Sequence, residues 1–291
     1  YDDSHFTVTV NVAVTIQFYG WLFGLGNKVK ILSPQSAVDG MKSHLLSIAG
    51  SYGIETYPLS SLLNVYDSII FFDLETTGYD PANDQITEFA CVKVTASGKE
   101  TVHDTFVKLP DGVSIPRQLI EKTGITDEMC ETGITRQELY NLFVGLLGEK
   151  TLLVAHNAQF DLSFMLNLAA EFNGSYPGTD YLDTLTVFRD RKMAPHKLSD
   201  AIEYYDVDGK NSHRAIDDAK ALMEVTKAMC AEKDDLLSYI NLFGYKAKYG
   251  IKGDPLPGIT YLPQPEEENH MLLPRIRDLD AAYRAGNTIT E

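Results

Sequence analysis

The feature that most constrains this sequence is a continuous apolar run that ends in two acidic residues. Residues 68–72 read Ser-Ile-Ile-Phe-Phe, a composition typical of a β-strand that is buried on both faces. Asp73 and Glu75 follow directly, and because side chains alternate along a strand, both carboxylates lie on one face. Ionised groups at the end of a buried strand are costly without a partner. The pair therefore indicates either a purely structural arrangement or a shared divalent cation.

Periodic apolar residues downstream predict a mixed α/β domain. Further strands are expected over 86–94, 101–109 and 151–155. Helices are expected over 136–147, 159–171, 197–205 and 213–233. Three successive strands followed by alternating helices and strands indicate one mixed sheet with helices on its faces.

The amino end predicts a separate small unit. Apolar residues occupy every second position from Phe6 to Ile16, which predicts a strand with one buried face. A short helix over 18–23, a strand over 29–32 and a helix over 34–50 complete a βαβα pattern. About 50 residues bury too little surface to form a good core alone.

Turn-forming residues dominate the chain after 233. Gly and Pro alternate with aromatic residues there, which predicts an irregular strap on the surface. The three glutamates at 266–268 are typical of a solvated charge run, and 272–283 could form a short amphipathic helix. Four segments are thus expected: a small α+β domain over 1–53, a linker over 54–66, a larger domain over 67–233 and a strap or tail over 234–291.

Charge and cysteine content exclude several classes of protein. The chain has 25 basic and 41 acidic residues, and the segment 67–233 holds 16 of the basic and 28 of the acidic ones. This balance argues against a protein that coats nucleic acid through a basic face. A solvated acidic surface and a site that holds cations both remain open.

No apolar run approaches 18 residues, so no membrane contact is expected. The three cysteines show no metal or disulfide spacing, which predicts a reducing, cytoplasmic setting.

Two further segments place acidic residues near the starts of helices. Asp161 ends the segment His-Asn-Ala-Gln-Phe-Asp at a predicted strand-to-helix junction, where the helix dipole alone would favour an acid. The segment His-Arg-Ala-Ile-Asp-Asp-Ala places His213 near a helix start and Asp218 five residues later. Taken singly, each segment has a structural explanation.

Together, the three segments resemble the motifs of the DEDD superfamily of 3′–5′ exonucleases, in its histidine subtype. Members include the proofreading epsilon subunit of DNA polymerase III and ribonuclease T. The resemblance covers about residues 67–232, and the motifs occur in the family's order. The segment Lys-Thr-Gly-Ile-Thr at 122–126 is similar to the family's segment between its first two motifs. The resemblance implies a ribonuclease H-like mixed five-stranded sheet with flanking helices.

The same resemblance implies a set of site residues. The implied metal-binding acids are Asp73, Glu75, Asp161 and Asp218, with His213 as the general base. The implied contacts to the terminal nucleotide are Leu74, Thr76, Asn157 and Phe160. Asp217 is not a ligand on this reading, since the family's last ligand lies five positions after the His. The tyrosine subtype would need Tyr where this chain has Arg214.

Phosphodiester hydrolysis explains why such residues would gather. Negative charge develops on the attacking and the leaving oxygen, and two Mg²⁺ or Mn²⁺ ions about 3.5–4 Å apart would stabilise both. Carboxylate oxygens are the ligands that these hard cations prefer. A His with an unperturbed pKa near 6.5 can take a proton close to neutral pH.

Several other residues stay open between a functional and a structural role. Five basic residues near the third motif could hold backbone phosphates or belong to a solvated surface: Arg189, Arg191, Lys192, Lys197 and Arg214. His156 is expected to be a hydrogen-bonded structural residue, and the role of His196 is undecided.

A second resemblance concerns the amino end. The residues Trp-Leu-Phe-Gly at 21–24 and Val-Lys-Ile-Leu-Ser-Pro at 29–34 resemble the C-terminal extension of WYL-domain transcriptional regulators, over about 45 residues. The WYL triplet itself is absent, so ligand sensing does not carry over. A small packing or dimerising domain is the structural alternative.

The function expected from the sequence is a metal-dependent 3′–5′ exonuclease that releases nucleoside monophosphates, in proofreading or DNA repair. The expected substrate is a nucleic acid with a free 3′ end, DNA rather than RNA. Three alternatives stay open: an exoribonuclease that trims RNA 3′ ends, a non-catalytic module that binds nucleic-acid ends, and an enzyme built into a polymerase or regulator assembly.

Overall fold

Two units make up the chain in this computed structural model, Tyr1–Tyr57 and Pro58–Glu291. The structure describes residues 6–52, 57–172, 174, 179–210 and 212–264. None of the helices within these ranges is long and apolar enough to cross a lipid bilayer.

The amino-terminal unit is helical. Helix α1 (Ile16–Phe23) begins after Thr15, whose hydroxyl caps the first turn, and it ends at Gly24. A 3-10 turn over Gly26–Lys28 leads to α2 (Gln35–Ser51). Both helices predicted for this unit are therefore present.

The two strands predicted for this unit are not found. Residues 6–15 and 29–32 form no strand, and the alternating apolar side chains are exposed, from 88% at Phe6 to 46% at Val14. A segment becomes a strand only when a neighbour pairs with its backbone N–H and C=O groups, and none of the residues 6–52 does so. The alternating pattern predicted which side chains could share a face, but it could not supply a partner. The predicted βαβα unit is therefore wrong in both strands.

The larger unit is built on a five-stranded mixed sheet, which confirms the predicted fold class. Its strands are β1 (Ser68–Thr76), β2 (Ile86–Thr95), β3 (Glu100–Phe106), β4 (Thr151–Ala155) and β5 (Asp180–Asp183). They lie in the order β3-β2-β1-β4-β5. Strand β2 is antiparallel to β1 and β3, whereas β4 is parallel to β1 and β5. The apolar strand β1 thus lies at the centre of the sheet.

Eight α-helices accompany this sheet within the described residues of the larger unit. They are α3 (Ser60–Leu63), α4 (Arg117–Thr123), α5 (Asp127–Glu131), α6 (Arg136–Leu146), α7 (Ala158–Glu171), α8 (Thr184–Arg191), α9 (Leu198–Tyr205) and α10 (Ala215–Glu232). A 3-10 helix over Leu236–Tyr239 follows α10.

Helices pack against both faces of the sheet. Phe72 of β1 lies 6.2 Å from Phe143 of α6, measured between ring centroids, in a core cluster that α7 also joins. Helix α10 packs against β1 and β2. Because successive side chains of a strand point to opposite faces, the odd-numbered residues of β1 face α10. Asp73 and Glu75 are therefore directed toward the helix that carries the third motif.

Part of the predicted linker is packed into the larger unit. Helix α3 lies within 54–66, and the side chains of Leu59 and Leu62 are fully buried. Residues 58–66 are therefore ordered chain rather than linker, and 54–56 lie outside the described residues. The other predicted segment boundaries stay predictions.

The segment after α10 contains two strands that the sequence did not predict. Strands β6 (Leu242–Lys246) and β7 (Thr260–Gln264) pair in parallel as a separate two-stranded sheet. Residues 240–264, which we call the strap, thus hold a defined structure around their turns. The charge run at 266–268 and the predicted helix over 272–283 lie outside the described residues.

Candidate active site

Asp73 and Glu75 lie at the carboxyl end of β1, where its pairing with β2 shifts register. Burial raises the pKa of Asp73 well above its usual range, and the charges of Asp161 and Asp218 raise it further. Burial also raises the pKa of Glu75 to about 8, with the charge of Asp218 as the next cause. The two acids at the strand end therefore face other acids across a largely buried space.

Asp161 reaches this space from the first turn of α7. Burial raises its pKa well above the usual range, while hydrogen bonds from the N–H groups of Asp161 itself and of Leu74 oppose the rise. The bond from Leu74 joins the start of α7 to β1. Asn157, which precedes α7, has a φ of 78°, in the left-handed region that Asn tolerates better than most residues.

A buried carboxylate, Asp183, holds the turn that precedes α7. Its Oδ1 accepts hydrogen bonds from the N–H groups of Asn157 at 2.9 Å and of Ala158 at 3.1 Å. The same side chain accepts hydrogen bonds from the N–H groups of Leu185 and Thr186 at the start of α8. One carboxylate therefore sets the starts of α7 and α8 together.

Asp218 and His213 bring the third motif to the same place. One ligand atom each from Glu75, His213 and Asp218 lie within 4.8 Å of one another. Asp218 is buried in the first turn of α10, and burial raises its pKa to about 7. The neighbouring Asp217 instead accepts a hydrogen bond from the Ser212 hydroxyl at 2.7 Å. The structure therefore brings Asp218, and not Asp217, into the cluster.

His213 lies just before α10 with a φ of 58°. Burial lowers the pKa of His213, and the positive charges of Lys122 and Lys197 lower it further. A neutral imidazole at this position can accept a proton. Lys122 also lowers the pKa of Glu75 and Asp218. Lys122 begins the segment that resembles the family between its first two motifs, but the resemblance assigns no role to this residue.

Glu88 is a second residue that sequence reasoning missed. It is fully buried in β2 and accepts hydrogen bonds from Arg214 Nη2 at 2.6 Å and Nε at 3.0 Å. It also accepts one from the N–H of Ala215 at 2.8 Å. The start of α10 is therefore fixed to the sheet by one carboxylate. The available signal is an acidic residue next to the apolar run 89–92 of a predicted strand.

The five basic candidates divide into two groups. Arg191 pairs with Asp235 and Glu232, Lys192 pairs with Glu232, and Arg214 pairs with Glu88. These three cations already have anionic partners, so their predicted role as phosphate ligands is not supported by their contacts.

Arg189 and Lys197 differ from those three. Neither forms an ion pair within the part of the chain that the structure describes, and Lys197 lies near enough to His213 to lower its pKa. Both stay candidates for contacts to phosphate.

The histidine of the second motif does not reach the acid cluster. His156 Nδ1 lies 3.0 Å from the Thr184 hydroxyl, and its Nε2 lies 2.9 Å from the carbonyl oxygen of His196. Both ring nitrogens are thus engaged, which agrees with the expected structural role. His196 in turn lies with its Nε2 2.9 Å from the carbonyl oxygen of Lys192.

The four residues predicted to contact the terminal nucleotide flank the acids. Leu74 is buried between Asp73 and Glu75, and the Thr76 hydroxyl donates a hydrogen bond to the carbonyl oxygen of Gly78 at 2.6 Å. The ring of Phe160 lies 5.0 Å from that of Phe164 and 6.4 Å from that of Tyr79. Asn157 lines a cavity beside α7. Their contacts to a nucleotide stay predictions.

The donor set of the cluster fits a hard divalent cation. Carboxylate oxygens are the ligands that Mg²⁺ and Mn²⁺ prefer. Burial raises the pKa values of Asp73, Glu75 and Asp218, and the charges of nearby acids raise them further, so ionised carboxylates are costly in this place. Bound cations would remove this cost. The residues that could hold them are Asp73, Glu75, Asp161 and Asp218.

Two families match this chain. Residues 70–226 match the family described as Exonuclease, and residues 1–49 match the WCX domain. The PolC-type DNA polymerase III of Thermotoga petrophila is 33% identical over 186 residues, which cover 60% of this chain and 13% of that protein. The chain thus spans about an eighth of the length of this curated relative.

Solved structures share the fold of the larger unit at low sequence identity. The Escherichia coli exonuclease I complex with a dA16 oligonucleotide has a TM-score of 0.53 and 18% identity, and the match covers 60% of this chain and 42% of that chain. The nuclease domain of 3′hExo, a DEDDh family member bound to rAMP, has a TM-score of 0.50 and 19% identity. That match covers 58% of this chain and 94% of that one.

Proposed function

This chain belongs to the exonuclease family, whose match extends over residues 70–226, and on that premise we propose that its larger unit is a metal-dependent 3′–5′ exonuclease. The reaction is hydrolysis of the last phosphodiester bond at a nucleic-acid 3′ end, with release of a nucleoside monophosphate. One observation carries the proposal. Acids from β1, α7 and α10, which are far apart in sequence, meet in one largely buried cluster beside a histidine of lowered pKa.

The acids of this cluster would hold Mg²⁺ or Mn²⁺, two per site, through Asp73, Glu75, Asp161 and Asp218. When bound, the cations supply positive charge that stabilises the attacking and the leaving oxygens. Lys122 lowers the pKa of Glu75 and Asp218, and this favours the ionised carboxylates that bind cations.

His213 is the proposed general base. Its lowered pKa keeps the imidazole neutral near pH 7, so the ring can accept a proton from the attacking water. Glu88 and Arg214 act through His213 and Asp218, because their ion pair fixes the start of α10 to β2. They are positioning residues.

The similar proteins favour DNA as the substrate. The PolC-type relative is a DNA polymerase, and the exonuclease I complex holds a DNA oligonucleotide. The rAMP complex of 3′hExo keeps an RNA 3′ end as the alternative.

The polymerase relatives and the WCX match suggest that the flanking segments attach the enzyme to a larger assembly. The three cysteines are free and buried, which supports the proposed reducing, cytoplasmic setting.

A time course on end-labelled oligomers tests this proposal. The substrates are matched DNA and RNA single strands labelled at the 3′ or the 5′ end, incubated with Mg²⁺, Mn²⁺ or EDTA. We expect a 3′ label to leave at once as a mononucleotide, a 5′-labelled strand to shorten stepwise, and EDTA to stop both. Asp218→Asn is the inactive reference, and Asp217→Asn is its matched control.

Three results would contradict the proposal or change its substrate. Tight binding of 3′ ends without cleavage in either metal would favour the non-catalytic end-binding module. Internal fragments at early times would exclude an exonuclease. Cleavage of the RNA strand alone would favour the exoribonuclease alternative.

A further inference from the structure

A cavity of about 280 Å³ lies between the strap and the starts of α7 and α8. One side is lined by Asn157, Gln159, Asp183 and Arg189, and the other by Tyr261 and residues 243–246 and 249–252 of the strap. Ligand pockets usually measure about 300–1,000 Å³. The cavity is therefore near the lower limit, which suits a unit the size of one nucleotide.

The strap is fixed beside this cavity by hydrogen bonds. Gln159 Nε2 donates to the carbonyl oxygen of Asp254 at 2.8 Å, and the Tyr261 hydroxyl donates to Gln159 Oε1. On the other side, the N–H of Gly244 donates to the Thr186 hydroxyl at 2.8 Å. The strap is thus tied to both α7 and α8.

The cavity adjoins the acid cluster. Asp183, which lines the cavity, accepts hydrogen bonds from the N–H groups at the start of α7, the helix whose first turn carries Asp161. The charge of Asp183 also acts on Asp161. Asn157, which precedes α7, also lines the cavity. A strand whose terminal nucleotide lies at the acids therefore reaches the cavity within one or two nucleotides.

Arg189 brings a positive charge to a cavity that the carboxylate of Asp183 also lines. Its side chain is half-buried, and burial lowers its pKa. Within the part of the chain that the structure describes, Nε is buried without a hydrogen-bond partner, and Nη1 makes one long bond of 3.4 Å to the carbonyl oxygen of Gly244. The nearby Asp183 is engaged by the N–H groups at the starts of α7 and α8. A guanidinium held partly out of water favours an incoming anion such as phosphate.

The strap adds further cations and an exposed aromatic ring. It carries three lysines and one aspartate, in a chain whose net charge is −16. Lys246 and Lys252 line the cavity together with Tyr249, whose side chain is 61% exposed. The Nζ of Lys248 lies 5.3 Å from the centroid of the Tyr249 ring. Cations combined with an exposed aromatic ring are typical of surfaces that bind single-stranded nucleic acid.

We infer that this cavity binds the substrate strand next to its terminal nucleotide, with a backbone phosphate at Arg189 and Lys252 and a base stacked on Tyr249. The inference rests on the proposed exonuclease function and deepens it, since it assigns the strap a part in holding a single strand. The strap thereby adds three lysines to a larger unit whose charge balance is acidic.

Two exposed residues test this role with little risk to folding. The variants are Tyr249→Ala and Lys252→Ala, and Lys99→Ala, exposed at the far edge of the sheet beside β3, is the control. Each is assayed on a short oligothymidylate and on the p-nitrophenyl ester of thymidine 5′-monophosphate, which has only one nucleotide. Binding of a fluorescent oligothymidylate is measured separately by anisotropy over a range of salt concentrations.

We expect Tyr249→Ala to weaken binding of the oligomer and to raise the KM for the oligomer about 5- to 150-fold, the range for loss of one stacked base. Lys252→Ala should lower the slope of log K against log salt by about 0.7, the value for one phosphate contact on a single strand. Hydrolysis of the one-nucleotide ester and the behaviour of Lys99→Ala should stay as in the wild type.

Each contrary result has one meaning. Unchanged oligomer binding and salt slope in both variants would overturn the inference, whatever the activity. Equal loss on the oligomer and the one-nucleotide ester would place the cavity within the terminal-nucleotide pocket and would also overturn it. If the wild type hydrolyses neither substrate, the exonuclease proposal fails, and the anisotropy measurements still decide whether the strap binds a single strand.

Discussion

Removal of either partner of the Glu88–Arg214 pair should destabilise the larger unit, and the two losses should differ. Glu88 is fully buried, whereas the Arg214 side chain is 33% exposed. Breaking a buried pair by removing one partner costs about 3–5 kcal/mol. Glu88→Ala leaves a guanidinium that water can partly solvate, so we expect the lower value. Arg214→Ala leaves a carboxylate with no access to water, so we expect the higher one.

Arg214→Ala has a further cost. The guanidinium carbon lies 5.2 Å from the centroid of the Phe106 ring, and such cation–π contacts contribute about 0.5–1 kcal/mol at partly exposed sites. Glu88→Gln keeps an acceptor for the N–H of Ala215 but removes the charge. It should therefore fall between the wild type and Glu88→Ala.

Thermal unfolding followed by circular dichroism measures these differences. A change of 1 kcal/mol shifts Tm by about 2–4 °C in a domain of this size, so Glu88→Ala should lower Tm by about 6–12 °C and Arg214→Ala by about 10–20 °C. The double variant Glu88→Ala with Arg214→Ala should be more stable than Arg214→Ala alone, because no buried charge is then left without a partner. If Arg214→Ala is no less stable than Glu88→Ala, or if the double variant is the least stable, the reasoning from burial is wrong.

Three further predictions concern the acid cluster. Asp73→Ala and Asp218→Ala should abolish hydrolysis of a labelled oligomer, whereas Asp217→Ala should keep most of the wild-type kcat. An equal loss of kcat in Asp217→Ala and Asp218→Ala would show that the third motif is read in the wrong register. His213→Ala should lower kcat by about 10²–10⁴-fold. The kcat of this variant should partly recover at higher pH, and its affinity for metal, measured by calorimetry, should change little. A lower Tm with wild-type turnover would instead assign His213 a structural role. Burial raises the pKa of Glu75 to about 8 and of Asp218 to about 7, above unfolded values of about 4. The stability that these groups contribute is therefore present below about pH 4 and lost as pH rises through 7 and 8. The Tm of the metal-free protein should accordingly fall between about pH 4 and pH 8, and Mg²⁺ should raise the Tm most at pH 8. A flat profile in EDTA would contradict the raised pKa values.

The elements that follow from the sequence are those with strong local patterns. Strands β1 and β4 are continuous apolar runs between polar residues, and α6, α7 and α10 carry the helical period over three turns or more. Their observed limits lie close to the predicted ones. The site acids lie at the ends of these elements, but their roles follow only from the resemblance of the three segments to the DEDD exonucleases, because each segment alone also has a structural explanation.

The elements that escaped prediction depend on contacts distant in sequence. Strand β5 has only four residues, two of them Asp, and α8 starts with β-branched Thr residues that disfavour helix in isolation. Asp183 caps α8 by accepting hydrogen bonds from the N–H groups of Leu185 and Thr186. It also joins β5 to the start of α7, about 25 positions away in sequence, and no local pattern signals these bonds. The strap resembles a loop in composition, and β6 becomes a strand only because β7 pairs with it. Local sequence patterns do not specify these pairings.

The pair that fixes α10 to β2 joins residues 126 positions apart, and this separation has a consequence during synthesis. Chains are made at about 5–20 residues per second, so about 6–25 s pass between the appearance of Glu88 and that of Arg214. Over this interval the nascent chain carries Asp73 and Glu75 but neither His213 nor Asp218. The ribosome therefore releases His213 and Asp218, two of the proposed catalytic groups, only after all five strands of the sheet have been synthesised. We therefore expect a chain that terminates before these residues to have no hydrolytic activity.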